Sequence, residues 1–172
     1  MWKTFSLACM LSTILALPAL AMEKTVDVVG NTGQKLGTIV ARQGPHGLVL
    51  TVRLAKGSLT PGLHGIHLHE HGDCSDHATF MKSKGHINPG KLAHGFLNPK
   101  GPHPADLPNL HAHQDGSVLV ELFAPGVMLS GGKLALMDDD GSAIIIHAKP
   151  DDHMTQPIGG AGPRVACAVF KR

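Results

Sequence analysis

The chain has 172 residues, enough for one domain with a sizeable core, and no composition change or long polar spacer indicates a second folded unit. Its 15 Lys and Arg against 13 Asp and Glu give a net charge of +2, too weak to favour nucleic acid or an anionic membrane surface as a partner. Histidine is the outlier, with 13 residues in a chain that has no tyrosine and one tryptophan, and this excess favours metal binding.

The first 21 residues have the pattern of a secretory signal peptide. Lys3 supplies a charged start, residues 7–17 form an apolar run, and Ala19-Leu20-Ala21 is a small-residue cleavage site. A membrane anchor is the weaker alternative, because the run is shorter than the roughly 20 residues that a spanning helix needs. We therefore predict that residues 1–21 are removed, that residues 22–172 form one domain, and that this domain is exported.

Cleavage would remove Cys9 and leave Cys74 and Cys167 as the two cysteines of the exported domain. An even pair in an oxidising compartment is typical of a disulfide, and two inert buried thiols are the weaker alternative there. We predict a bond between Cys74 and Cys167, which in the chain-entropy model stabilises the fold by about 4 to 5 kcal/mol.

Seven segments of the remaining chain alternate apolar and polar residues or carry β-branched runs. They are residues 24–29, 36–41, 48–54, 65–69, 118–123, 143–147 and 165–170. No window has an apolar period of 3.6 residues, and 21 Gly and 12 Pro interrupt the chain at turn-like intervals. The pattern predicts an all-β sandwich or barrel.

Two long stretches between these segments lack a strand pattern. Residues 71–108 are dense in Gly, Pro and His, and residues 149–163 contain the run GGAGP. Loops of this length inside a domain are usually functional or disordered, and the candidate ligands within them favour order. Asp140-Gly141, which lies between two apolar stretches, predicts a hairpin turn.

His67 and His69 lie two residues apart in a segment with a strand pattern, so their side chains share one face. Their Cα atoms would lie about 6.6 Å apart, which lets both imidazoles reach one metal ion. The pair alone is a weak signal, because exposed histidines are common and metal choice depends on the whole ligand set.

Further ligand residues follow in the first long loop, namely His86, His94, His103 and Asp106. Three histidines and one aspartate make a closed tetrahedral zinc set. His147 ends the apolar run 144–146, where an unpaired imidazole in the interior is costly, so this side chain needs a partner or a metal.

The motifs along the chain are, in order, HxH at 67–69, HxNP at 86–89, HG at 94–95, HxxDLPN at 103–109, IIHA at 145–148, DDHxTQP at 151–157 and GGAGxRxAC at 159–167. This order resembles the copper/zinc superoxide dismutase family, and in particular its bacterial exported branch, over about residues 24–170. Several interlocked motifs in one order are much harder to reach by chance than a single motif. The resemblance implies a Greek-key β-sandwich, or flattened eight-stranded barrel, with two long functional loops.

The resemblance also implies the ligands of one copper and one zinc ion per subunit. Copper would be held by His67, His69, His86 and His147. Zinc would be held by His86, His94, His103 and Asp106, so that His86 is shared between the two ions. Asp151 would accept hydrogen bonds from one histidine of each set, here His69 and His94, and would fix the orientation of both rings.

The implied reaction is the dismutation of superoxide to dioxygen and hydrogen peroxide, with copper alternating between Cu(II) and Cu(I). His86 would leave copper and take up a proton, and Arg164 would attract and position the anionic substrate. Zinc would hold His86 and order the long loop. The implied role is to protect the cell envelope from extracytoplasmic superoxide in the periplasm, as a monomer or a homodimer.

Two positions depart from the family pattern. Lys84 stands where a glycine is common before Gly-His, and Ala168 replaces the glycine after the second cysteine. Neither residue is a ligand, but an added Cβ can block a close backbone approach, so the loop conformation and the subunit contacts stay open.

The remaining histidines have no role in the motif. His64, on the opposite strand face from His67, predicts a hydrogen-bonded framework residue. Solvent exposure is the expectation for His46, His71, His77 and His153. His111 and His113 repeat the HxH spacing beside a turn, which leaves an accessory metal-binding patch open as an alternative to simple exposure.

Two other functions fit parts of the pattern. A non-catalytic copper or zinc buffer on the same scaffold would be favoured by a missing ligand, but all the ligand positions are filled. A zinc hydrolase built on His67, His69 and His71 would leave His147 and Arg164 unexplained, and it lacks a general base beside an open zinc position.

Overall fold

The computed structural model describes residues 22–172, which contain nine β-strands and one turn of 3₁₀ helix at Met81–Ser83. The strands are β1 (Glu23–Gly30), β2 (Lys35–Gly44), β3 (Gly47–Leu54), β4 (Gly62–His64), β5 (Ile66–His69), β6 (Leu110–Ala112), β7 (Val118–Pro125), β8 (Ser142–His147) and β9 (Arg164–Phe170). The predicted all-β class is confirmed, with nine strands in the described residues where eight were implied. The predicted signal peptide lies outside the described residues. Within residues 22–172, no helix is long and apolar enough to cross a membrane.

Seven strands form one curled antiparallel sheet in the order β5-β8-β9-β1-β2-β3-β7, and β4 and β6 form a second, two-stranded sheet. β1, β2 and β3 pair with their neighbours along the chain. The connections from β3 to β5 and from β7 to β8 instead cross from one end of the strand order to the other. Such crossings are the mark of a Greek key, as the resemblance implies.

Two details of the strand prediction need correction. β4 and β6 were not among the predicted segments, because three residues are too few to show a period. The hairpin turn predicted at Asp140-Gly141 is wrong. β8 begins directly after it but pairs with β5 and β9, whereas the preceding strand β7 lies at the other edge of the sheet.

β8 is buried on both faces, which accounts for its continuous apolar run. Ile144 and Ile146 face the main core, and Ile145 packs on the opposite face with Phe80 and the two cysteines. The strand ends at His147, which is 1% exposed. The sheet therefore delivers this imidazole into the interior on a rigid element.

Cys74 and Cys167 are bonded as predicted, with Cα atoms 6.1 Å apart and a sequence separation of 93. Cys167 lies on β9 and Cys74 on the loop that follows β5, so the bond fastens this loop to the sheet. The adjacent Ala168 pairs with Val28 and Ile144 and is buried, so its Cβ belongs to the core.

The first predicted long loop, residues 70–109 in the structure, runs along the free edge of β5. His67 forms an isolated antiparallel bridge with Asp106, and His69 forms one with His86. The backbone N–H of Leu68 donates to the carbonyl of Ala105 (3.1 Å). The edge strand thus sets the register of the loop and brings loop residues opposite the HxH histidines.

Candidate metal centre

Among the described residues, three groups of side chains each bring their ligand atoms to within 4.8 Å of one another, and two of the three match the predicted ligand sets. The four-histidine group consists of His67, His69, His86 and His147. The aspartate group consists of His86, His94, His103 and Asp106. The structure therefore brings together the two predicted ligand sets, and His86 belongs to both.

The buried polar atoms without a hydrogen-bond partner fit metal binding at these groups. Among the described residues there are six such side-chain atoms, all imidazole nitrogens, and five belong to the two groups: His67 Nδ1, His69 Nε2, His86 Nε2, His103 Nδ1 and His147 Nε2. A buried imidazole nitrogen without a partner is costly unless it coordinates a metal. Imidazole nitrogens also suit copper and zinc ions better than harder ions.

The other nitrogen of each strand-borne histidine is held by an oxygen. His69 Nδ1 donates to the carbonyl of Lys84 (2.8 Å), and His147 Nδ1 donates to the carbonyl of Gly162 (2.9 Å). His67 Nε2 donates to Asp151 Oδ2 (2.8 Å). These bonds fix the tautomer and the ring orientation, so the free nitrogen of each ring points into the group.

Asp151 joins the two groups, but through a different histidine from the one predicted. It accepts hydrogen bonds from His67 Nε2 (2.8 Å) and His94 Nε2 (3.0 Å), whereas His69 is held by Lys84. The prediction of His69 as its partner is therefore wrong. Burial alone would raise the pKa of Asp151, but the hydrogen bonds from His67 and His94 hold that pKa well below its usual range.

Asp106 organises the aspartate group. It accepts hydrogen bonds from His94 Nδ1 (2.7 Å) and from the backbone N–H groups of Gly95 (2.8 Å) and His103 (3.2 Å). Burial alone would lower the pKa of His94, but its bonds to Asp106 and Asp151 outweigh burial and raise this pKa to about 9. Asp106 therefore orients the His94 ring and holds the backbone of Gly95 and His103 beside it.

The four-histidine group has the opposite electrostatic character. Burial, followed by the neighbouring His67, lowers the pKa of His147 to about 4. Burial also holds the pKa of His69 well below its usual range, and the charge of Arg164 lowers it further. These imidazoles are neutral at physiological pH, which is the form that binds metal.

Comparison with known proteins identifies the family. The family model for copper/zinc superoxide dismutase (SODC) matches residues 35–170. The copper-zinc superoxide dismutase of Caulobacter vibrioides is 46% identical over 150 residues, which cover 86% of this chain and 84% of that protein. The chain belongs to the copper/zinc superoxide dismutase family. It is an oxidoreductase whose cofactors are copper and zinc, and the histidine groups fit both ions.

Solved structures of bacterial relatives have the same fold. A double mutant of a SOD-like protein from Bacillus subtilis matches with a TM-score of 0.81 at 40% identity, covering 86% of this chain and 97% of that chain. The Cu/Zn superoxide dismutase from Brucella abortus matches with a TM-score of 0.69 at 32% identity, covering 87% and 99%. The β-sandwich of this family is therefore the fold of the chain.

Arg164 of this superoxide dismutase is fixed by three acceptors. Nη1 donates to the carbonyl of Phe80 (2.7 Å) and to Ser83 Oγ (3.0 Å), and Nη2 donates to the carbonyl of Lys84 (2.8 Å). The side chain lines two pockets of about 440 and 300 Å³, one lined also by His147 and the other by His86. A fixed cation thus stands at the solvent side of both groups.

The histidines outside the two groups mostly match their predictions. Both ring nitrogens of His64 lie against backbone carbonyls, those of His147 (2.7 Å) and Thr60 (2.8 Å), so this residue is part of the framework. His71 Nδ1 donates to the carbonyl of Lys82, and His71 belongs to neither group, so the hydrolase set of His67, His69 and His71 is not assembled. The prediction of solvent exposure is confirmed for His46 and His77 and is wrong for His71 and His153, which are half-buried. The His153 side chain is 21% exposed, and it accepts a hydrogen bond from Asn109.

Two positioning residues were missed by the sequence reasoning. Asn109 accepts from the backbone N–H of Asp151 and donates to its carbonyl, both at 2.8 Å. Gln156 holds the backbone of His94 in the same two-sided way (2.8 and 2.9 Å). An amide side chain has both a donor and an acceptor, so each of these residues fixes a loop segment that carries a key side chain. Their presence inside the quoted motifs was the available signal.

Proposed function

We propose that this enzyme dismutes superoxide at copper held by the four-histidine group, with one zinc ion held by the aspartate group and one copper ion per chain. The single observation that supports this best is the set of buried, partnerless imidazole nitrogens that converge from both groups on His86. Copper, when bound, supplies the one-electron change that oxidises one superoxide and reduces the next.

His86 is the proposed bridging ligand and proton carrier. Its Nδ1 lies 3.9 Å from Asp106 Oδ1, on the zinc side, whereas its buried Nε2 has no partner in the protein. Production of one hydrogen peroxide from two superoxide anions consumes two protons, and the buried Nε2 of His86, which would be a ligand of bound copper, could also hold and deliver one of these protons. Asp106 and Asp151 keep the rings of His67 and His94 oriented while His86 takes up and releases a proton.

Arg164 is the proposed substrate-binding cation. Superoxide is a small anion, and a guanidinium held by three acceptors stays in place without reorganising when the anion arrives. The side chain is only partly buried and lines the pocket that also contains His147. The residue therefore both attracts the substrate from solvent and positions it beside the four-histidine group.

Export and location are also proposals. We propose that residues 1–21 are a cleaved signal peptide and that the enzyme works in the periplasm, where it protects the cell envelope. The bond between Cys74 and Cys167 supports this, because structural disulfides persist in oxidising compartments. A homodimer is a further proposal, and sedimentation equilibrium of the purified protein tests it directly.

The test combines elemental analysis with the rate of superoxide consumption. We expect one copper and one zinc per chain and catalytic turnover, whereas consumption that stops after one equivalent per copper would favour a metal buffer. Arg164→Gln should lower the second-order rate constant by about tenfold or more at low salt while metal content is unchanged. Arg53→Gln, which removes an exposed arginine on β3, is the matched control. Full activity with zinc alone would contradict the proposal.

A further inference from the structure

A second HxH pair lies outside the metal centre, on the small sheet. His111 is the middle residue of β6, opposite Leu63 of β4, and His113 follows the end of the strand. Ala112 between them is buried, whereas both histidines are exposed, so the two imidazoles project on the same, solvent-facing side. The acid nearest in sequence, Asp115, is engaged by Ser117 and Lys56.

The two rings are as close together as rings that converge on the metal centre. Their centroids lie 5.8 Å apart with an interplanar angle of 83°. Ring pairs within the four-histidine group are separated by 4.3 to 6.2 Å, and those within the aspartate group by 4.9 to 5.5 Å. Among the described residues, this is the one histidine ring pair outside the centre at such a distance.

We propose that His111 and His113 form a second metal site that binds one Cu²⁺ or Zn²⁺ ion from solution. Imidazole is the preferred ligand of these borderline ions, and two imidazoles two residues apart that project on the same side of the chain can bind one ion together. The pair is already close in space, so binding needs rotation of exposed side chains and no movement of the backbone.

The second site differs from the centre in the number of its ligands. Within residues 22–172, His111 and His113 belong to no cluster of three or more His, Cys, Asp or Glu side chains. Water completes the coordination, so the ion is held more weakly than at the centre and exchanges with solvent. The site captures and releases a metal ion and takes no part in the redox reaction.

Calorimetric titration with Zn²⁺ tests the site in protein already loaded with copper and zinc. Copper resists displacement at the centre, because a nitrogen site binds Cu²⁺ more tightly than Zn²⁺. We expect one additional equivalent of Zn²⁺ to bind. His111→Gln and His113→Gln should each weaken this binding by at least about tenfold, the loss that even an indirect change at a metal site produces. His46→Gln removes one exposed histidine elsewhere and should leave the binding unchanged.

The imidazole resonances in ¹H–¹⁵N spectra locate the ion independently. With the copper reduced, added Zn²⁺ should shift the resonances of His111 and His113 and leave that of His46 in place. The absence of an additional equivalent would overturn the proposal. So would equal weakening in all three variants, or shifts confined to His71 and His153. Thermal unfolding of the loaded variants should match the unchanged protein, because these substitutions are exposed.

Discussion

The four-histidine group and the aspartate group differ in the elements that supply their ligands. In the first group, His67 and His69 lie on β5 and His147 lies on β8, two strands that pair with each other. In the second group, every ligand comes from the loop of residues 70–109. The sheet places the strand-borne ligands before any metal arrives, whereas the loop-borne ligands need something else to hold them together.

The difference in charge shows what that something is. The four-histidine group contains no acid, and backbone carbonyls or Asp151 hold the outer nitrogens of its strand-borne rings. The aspartate group is organised by Asp106, whose side chain is fully buried and whose oxygens accept three hydrogen bonds. The sheet presents neutral ligands, whereas the loop ligands are oriented by a buried carboxylate, in addition to the disulfide and the contacts with the edge of β5.

The largest expected effect is on the aspartate group. Asp106 is the main cause of the raised pKa of His94, so Asp106→Asn leaves the protonated His94 without its main partner. Breaking a buried ion pair in this way lowers the free energy of unfolding by about 3 to 5 kcal/mol. We expect urea denaturation of the metal-free variant to show this decrease in the free energy of unfolding. Elemental analysis of the variant as purified should show no zinc. Asp139→Asn, at a side chain that is 99% exposed, should change neither. Retention of zinc with unchanged stability would remove the distinction between the two groups.

The pH dependence of the metal-free protein should separate the groups next. The pKa of His147 is lowered to about 4, so below pH 6.5 the unfolded chain takes up a proton that the folded chain does not, and stability falls as pH falls. Between pH 6.5 and pH 4, this residue alone lowers the free energy of unfolding by on the order of 3 kcal/mol. The pKa of His94 is raised to about 9, so its stabilisation is present below pH 6.5 and is lost as pH rises towards 9.

Calorimetry of EDTA-treated protein between pH 4.5 and 9 measures thermal stability as a function of pH, with an acid limb below the maximum and an alkaline limb above it. We expect a maximum in thermal stability near pH 6.5 with a steeper acid limb, because the pKa values of His67, His69 and His147 are all lowered by burial. Asp106→Asn should flatten the alkaline limb and keep the acid limb. An alkaline limb that survives this substitution would show that His94 is not its source.

The sequence predicted the strands better than it predicted the contacts between loops. β8 and β3 have long β-branched or alternating runs, whereas β4 and β6 are three residues each and owe their pairing to the tertiary fold. The resemblance supplied both ligand sets, because motif order is a property of the chain. What motif order could not supply was the placement of one loop relative to another.

Asp151 illustrates this limit. His67 and His69 share a strand face, so alternation cannot decide which ring reaches the aspartate. The position of the chain after β8 determines which ring it reaches. The N–H of Gly65, just before β5, donates to the carbonyl of Lys149, which follows β8 (2.9 Å). This contact lays residues 149–151 beside the start of β5, and a Cβ on Gly65 would come within 3.4 Å of the Asp151 side chain. The aspartate therefore lies nearer to His67 than to His69.

The smallest expected effect concerns Lys84, a residue of the loop that follows β5 whose backbone contacts side chains from β5 and β9. Its carbonyl accepts hydrogen bonds from His69 and from Arg164, and its backbone has φ 61° and ψ −142°. Glycine adopts this region freely, whereas a residue with a Cβ is strained there by about 1 to 3 kcal/mol. The family resemblance indicates that glycine is common at this position. In this chain a strained lysine occupies it, and its carbonyl holds both His69, a proposed copper ligand, and Arg164, the proposed substrate-binding cation.

Lys84→Gly should therefore stabilise the protein, by about 1 kcal/mol after the entropic cost of glycine in the unfolded chain is subtracted. For a domain of this size we expect the unfolding temperature to rise by about 2 to 4 °C. Lys84→Ala removes the same charge but keeps the Cβ and its strain, so it should bring no such increase. An equal increase in both variants would assign the effect to the charge, and Lys84 would then not be a strained link between His69 and Arg164.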